Sequence, residues 1–227
     1  MTVKVLDGVK PEAGKVLLRR ADKHPVAVTI AFWGLYLLVF SLIEHLPRSR
    51  HLILHARLDD MIPFVKYAAP FYYIWFAALA ATYAVFLFRG SRKMYWKLYV
   101  SMALCTFTTL IFYLLVPNGV DLRPASVQGN DVFAWMMRMI WMADNSYNVC
   151  PSLHVSTSVL MDLLWQRSGL LRKNWQKTAV RVIDVLIILS TMFLKQHSVI
   201  DVITGLFYGI LTCEAGSRLA EACYEQA

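Results

Sequence analysis

Apolar residues fall along this chain in long unbroken blocks. They show neither the three-and-four rhythm of a surface helix nor the alternation of a half-buried strand. The first block runs from Val26 to Leu46, opened by Pro25 and closed by Pro47. The second runs from Tyr67 to Phe88, and the third from Leu98 to Val116, stopped by Pro117. Each comes close to the ~20 residues that a helix needs to cross a hydrocarbon core. Three further blocks are shorter or interrupted. Ser152 to Trp165 is brief, Ala179 to Leu194 carries Arg181 and Asp184 in its first turns, and Val199 to Cys213 carries Asp201 near its start. The pattern predicts an all-α fold, a polytopic bundle of six transmembrane helices. Residues 1–24 form a basic, amphipathic lead-in, 25–216 the membrane domain, and 217–227 a short tail.

Composition excludes the main alternatives. Of the 227 residues, 58% are hydrophobic and 17% charged, and the mean hydropathy is +0.48. Soluble domains average about 45–50% apolar and about 25% charged, so a water-soluble enzyme and a disordered chain are both ruled out. The net charge of +8 first suggests nucleic acid, but the placement of the basic residues explains it otherwise. Fifteen lysines and arginines fall on the side of the N-terminus: six up to Lys23, Arg89 to Lys97, Arg167 to Lys177, and Arg218. Seven fall on the other side: Arg48, Arg50, Arg57, Lys66, Arg123, Arg138 and Lys195. Basic loops stay cytoplasmic, so both termini are expected there and no nucleic-acid partner is needed. The cysteines (Cys105, Cys150, Cys213, Cys223) form no CxxC pair, which leaves out a zinc ribbon and a disulfide scaffold.

The residues suited to chemistry collect on the opposite, extracytoplasmic side. One connection holds Asp121, Arg123-Pro124 and then Cys150-Pro151-Ser152-Leu153-His154; another holds Lys195-Gln196-His197-Ser198-Val199-Ile200-Asp201. Ionisable groups at membrane depth are expensive and mark functional sites. His197 and Asp201 are one helical turn apart on one face. A carboxylate there can take the imidazole Nδ1–H and leave Nε2 free to attack. Ser152 and His154 follow Pro151 at a helix opening, where exposed N–H groups attract anions. Arg123 adds a planar, permanently charged fork suited to phosphate oxygens. Each has a plainer reading alone: a histidine as an interhelical hydrogen-bond partner, Ser152 as an N-cap, Arg123-Pro124 as a loop dipeptide. Their convergence on one side favours a site. The remaining histidines (His24, His45, His51, His55) read as interfacial.

At these residues the chain resembles the type-2 phosphatidic acid phosphatase superfamily, which includes lipid phosphate phosphatases and sphingolipid head-group transferases. The family pattern is Lys, six residues, Arg-Pro; then Pro-Ser-Gly-His; then Ser-Arg, five residues, His, three residues, Asp. Here the first survives as Arg123-Pro124, with Val116 in place of the lysine. The second is Pro151-Ser152-Leu153-His154, with Leu153 in place of glycine. The third keeps Ser190, His197 and Asp201, with Thr191 in place of the arginine. The resemblance covers roughly residues 116–205.

The resemblance implies an integral membrane enzyme, a lipid phosphate phosphatase using a phosphohistidine intermediate, with no cofactor and no metal. His197 would be the nucleophile, Asp201 its orienting partner and His154 the general acid. Arg123, Ser152 and Lys195 would hold the phosphate. Two of the family's three cations are missing, and a monoester carries about −1.5 to −2 charges. Either Lys195 or Arg138 replaces them, or the substrate is a phosphodiester with one charge. The second case gives a head-group transferase of the sphingomyelin or inositol phosphorylceramide synthase type. A non-catalytic membrane protein that retains the fold is the third reading.

Between Asp131 and Asp144 lies a methionine- and tryptophan-rich stretch too short to span. It suits a helix at the outer interface, with Trp135, Met136 and Met139, together with Leu153, lining the substrate's acyl entrance. Gly205 and Gly209 form a small-xxx-small pair suited to close helix packing. The oligomeric state is left open.

Overall fold

The computed structural model describes residues 21–47 and 51–225. The basic residues Lys4, Lys10, Lys15, Arg19 and Arg20 of the lead-in, and Arg48 and Arg50, lie outside the described residues. Among the described residues, eight α-helices follow in order: α1 (Pro25–Glu44), α2 (Arg57–Met61), α3 (Ala69–Phe88), α4 (Arg92–Leu115), α5 (Val132–Ala143), α6 (Leu153–Arg167), α7 (Asn174–Phe193) and α8 (Val199–Glu225). A single 3-10 turn (Lys66–Ala68) leads into α3.

Among the described residues, four segments are long and apolar enough to cross a membrane: Pro25–Glu44, Lys66–Phe88, Arg92–Leu115 and Val199–Tyr224. The fourth and fifth expected spans, α6 and α7, do not meet that standard on their own. α6 has 15 residues and is packed among α4, α7 and α8. Buried there, its small polar residues need no lipid-compatible surface. Ser156, Thr157 and Ser158 are all at most 1% exposed. α7 has the length but carries Arg181, whose guanidinium donates to Asp162 of α6 at 3.1 Å.

Helix ends follow local chemistry. α4 begins six residues before Leu98 because the Ser91 side chain accepts from Met94 N and caps the helix. α8 runs on to Glu225, so residues 217–225 continue a helix. α8 lies against α4 and α6 at close quarters. A Cβ on Gly209 would stand 2.4 Å from the Ser156 carbonyl oxygen, and one on Gly216 would stand 2.4 Å from Ser101 Cα. Glycine alone permits that approach.

The two ends of the bundle differ. At one, Trp96 donates to Asp22, Lys97 pairs with Glu221 and Arg167 with Glu214. At the other, a two-residue parallel pair, β1 (Leu52–Ile53) with β2 (Asn118–Gly119), ties the loop after α1 to the loop after α4. Asn118 is fully buried and organises this end: its Oδ1 accepts from Val149 N and Cys150 N, and its Nδ2 donates to the Val116 and Cys150 carbonyls. That staple fixes the segment leading into α6.

Candidate active site

His197 stands at the turn between α7 and α8. Its backbone N–H donates to the Thr191 carbonyl at 3.3 Å. Its Nδ1 lies 2.6 Å from Asp201 Oδ2, one turn into α8. An ionised carboxylate only accepts, so Nδ1 carries the proton and Nε2 is left with its lone pair. Asp201 is fully buried and its Oδ1 has no partner among the described residues.

His154 comes from the first turn of α6. Its ring lies between Tyr72 and Trp75, each with ring centroids 4.3 Å away. Trp75 is locked by its Nε1–H donating to Thr157 Oγ1 at 2.9 Å. The His154 and His197 rings are 5.8 Å apart, and His154 Nε2 is buried without a hydrogen-bond partner among the described residues. Ser152 joins the two helix openings: its N–H donates to the Asp201 carbonyl at 3.2 Å. Its hydroxyl accepts from Val155 N at 3.4 Å as the N-cap of α6.

Arg123 arrives in the loop after β2. One terminal nitrogen donates to the Asn145 carbonyl at 2.8 Å and to Gln196 Oε1 at 2.5 Å, and the guanidinium stands 5.8 Å from the Trp141 ring. Its Nε is buried without a partner among the described residues. Burial pulls its pKa down, against the nearby Asp144, Tyr72 and Glu44.

A cavity of about 500 Å³ opens beside these residues. Its polar end is formed by His154, His197, Gln196, Asp144 and Asn148; Trp33, Leu37, Phe40, Phe76, Leu79 and Met139 are among its apolar walls. Leu37 and Phe76 are exposed, so the cavity reaches the surface between α1 and α3. Among the described residues that line it there is no lysine or arginine. There is a carboxyl: Asp144 accepts from Tyr72 OH at 2.8 Å, and burial pushes its pKa up, against that bond and the nearby His197 and Arg123.

The structure therefore brings His197, Asp201, His154 and Ser152 together, with Arg123 one side chain behind, through Gln196. The other expectations separate. Leu153 and Met139 line the cavity. Met136 packs beside the Tyr72 cluster and its carbonyl accepts from Tyr73 OH, while Trp135 is 57% exposed. Lys195 and Arg138 are not among the lining residues. The Lys195 ammonium donates to the Asp59 carbonyl, and the Arg138 guanidinium donates to the Gly129 carbonyl at 3.1 Å. Sequence reasoning missed Asp59, Asn118, Asp144 and Gln196. The Lys195-to-Asp201 connection did contain Gln196, but nothing in a lone glutamine marks it as an arginine's partner. Among the described residues no cluster of three or more His, Cys, Asp or Glu side chains is arranged to hold a metal ion.

An all-helical membrane protein with a buried His–Asp pair, a second histidine facing it and an aromatic cavity alongside suits phosphoryl transfer on an apolar ester. The comparison of sequences agrees: a family model of the PAP2 superfamily matches residues 41–214. The chain belongs to that superfamily, whose members are phosphatases and phosphotransferases. Comparison with the curated proteins and with the solved structures finds no match.

Proposed function

We propose that the protein is an integral membrane enzyme that transfers the phosphoryl group of a lipid phosphate ester through a covalent intermediate on His197. The carrying observation is the His197–Asp201 pair at 2.6 Å facing His154 across 5.8 Å, at the polar end of an aromatic cavity. In this reading all six hydrophobic helices are spans, both termini are cytoplasmic and the site is extracytoplasmic. The lipid enters between α1 and α3, where Leu37 and Phe76 are exposed.

His197 Nε2 attacks phosphorus and the bond to the ester oxygen breaks. Protonated His154 delivers its proton to that leaving oxygen. His154 then takes a proton from water, whose oxygen attacks phosphorus and breaks the P–N bond, freeing phosphate and restoring His197. Asp201 holds the Nδ1–H throughout and offsets the positive charge that grows on the ring. Ser152 sets the helix opening against Asp201, and Arg123 supplies positive charge from behind Gln196. Catalysis of this kind rests on positioning and charge stabilisation.

Hydrolysis of a phosphate monoester is the first form of the proposal. A second is favoured by the cation-poor lining and by Asp144: a phosphodiester, with one negative charge, whose phosphoryl group passes to an acceptor alcohol. Purified protein in detergent micelles separates the two. Phosphatidic acid should release inorganic phosphate, unaffected by EDTA. A phosphodiester donor with ceramide or diacylglycerol should give a new phosphodiester lipid by mass spectrometry. No phosphorus-containing product from either would overturn both and leave a non-catalytic membrane protein.

A further inference from the structure

Asp59 is 2% exposed in the five-residue α2, 139 positions before Ser198. Its carboxylate is filled by three donors. Oδ1 accepts from Val199 N at 2.8 Å, and Oδ2 accepts from Ser198 Oγ at 2.6 Å and Ala56 N at 2.7 Å. Ser198 Oγ in turn accepts from Ile200 N at 3.2 Å. A buried carboxylate thus anchors the first turn of α8, satisfying the orphaned Val199 N–H directly and, through Ser198, holding the acceptor of Ile200 N. The same residue grips the other side of His197. Lys195 sits in the left-handed region at φ +56°, uncommon for a residue with a Cβ, and its ammonium donates to the Asp59 carbonyl. A further bond, from Val65 N to the Phe193 carbonyl at 2.9 Å, adds the segment after α2 to the end of α7.

We propose that Asp59 is a positioning residue for the nucleophile: it clamps the 195–199 turn on both sides and so holds the His197 ring against Asp201 and facing His154. The proposal rests on the reading of His197 as nucleophile. It also explains why Lys195 is absent from the cavity wall: its charge belongs to the clamp.

Asp59→Asn keeps the shape but turns one oxygen into a donor, so at least one of the three donors loses its acceptor. A positioning role predicts a fall in kcat on the order of 10–100-fold, the scale of a small misplacement of a reacting group, with KM within about twofold. The assay is phosphate release from phosphatidic acid, or head-group transfer from phosphatidylcholine to ceramide, per folded molecule. Ser198→Ala, which removes one of the carboxylate's three donors and the acceptor of Ile200 N, should give a smaller fall of the same kind and guards against misfolding of the first variant. An unchanged kcat in folded Asp59→Asn, or a loss that tracks only the folded fraction, overturns the proposal.

A second measurement needs no turnover. Diethyl pyrocarbonate labelling, mapped by mass spectrometry, should show His197 modified several-fold faster in Asp59→Asn, with His154 unchanged. Equal rates at His197, or equal acceleration at both histidines, overturn the clamp. If neither ester is turned over by the unaltered protein, or if His197→Ala keeps full turnover, the nucleophile reading fails, and the labelling still decides the clamp.

Discussion

At one corner of the cavity, His197 is backed by Asp201 at 2.6 Å, and its turn is tied by Asp59, Thr191 and the start of α6. At the other corner Arg123 stands behind the wall, turned toward Gln196 and the Asn145 carbonyl, and the wall itself carries the Asp144 carboxyl and, among the described residues, no lysine or arginine. The histidine corner holds the short, buried His–Asp bond that the proposed attack would use. The guanidinium corner has its arginine held away from the cavity and an acid on the wall. Nucleophile geometry and phosphate charge are separable requirements: the first depends on short, buried hydrogen bonds, the second on the total charge facing the ligand. A protein can hold one fixed and retune the other, which changes the substrate and leaves the chemistry alone.

The largest test of the comparison falls on the histidine corner. His154→Gln removes the proton donor and should lower turnover by roughly 10²–10⁴-fold, the usual range for a general acid. The loss in kcat/KM, which excludes hydrolysis of the phosphohistidine and so the second role of His154 as base, should be much smaller with p-nitrophenyl phosphate, whose leaving group needs no proton. Equal losses on both esters would take the acid role away from His154.

The next test falls on the other corner. Asp144→Asn keeps an acceptor for Tyr72 OH and removes the negative charge. At an effective dielectric near 20, a unit charge roughly 6–15 Å from phosphate is worth about 1–3 kcal/mol. The ratio of monoester to diester turnover at pH 7.5 should therefore rise about tenfold. An unchanged ratio would mean that Asp144 does not set the charge the site accepts.

The smallest effect concerns the loops that carry the guanidinium corner. His55 Nε2 lies 2.8 Å from Asp60 and its Nδ1 3.0 Å from Asp121, two residues before Arg123. The Asp60 bond, then the Asp121 bond, raises the His55 pKa above its ordinary value. A group with a raised folded-state pKa contributes fully below its unfolded value, about 6.5, and loses that contribution as pH rises through the folded value. The clasp should therefore weaken above neutral pH. His55→Ala should speed amide exchange at Leu52 and Leu54, which donate to Pro117 and Gly119, by about two- to threefold at pH 6. After correction for intrinsic rates it should change little at pH 9; an effect equal at both would remove the charge from the explanation.

How much of this was legible in the sequence follows from the range of each interaction. His197 and Asp201 were readable because an i,i+4 pair on a helix is a local fact. His154 was readable because its motif stands in order with the other two. Arg123 was readable as a residue and not as a contact, because its partners Asn145 and Gln196 lie 22 and 73 positions away. Asp59 was invisible for the same reason. Lys195 looked like a free cation, and only the backbone at φ +56° shows that it belongs to a turn. The hydropathy pattern found all the helices that carry the site, but could not tell a helix that faces lipid from α6, which is enclosed by its neighbours. The two-residue strands lie below any periodicity.

The central claim is that phosphorus passes through His197. Rapid alkaline quenching of the protein with phosphatidic acid labelled in its phosphate, followed by digestion and mass spectrometry, tests it directly. The expected result is an acid-labile, alkali-stable phosphate on His197 that forms and decays within one turnover and is absent from His197→Ala. Phosphate on another side chain, or full turnover with no label on His197, would contradict it.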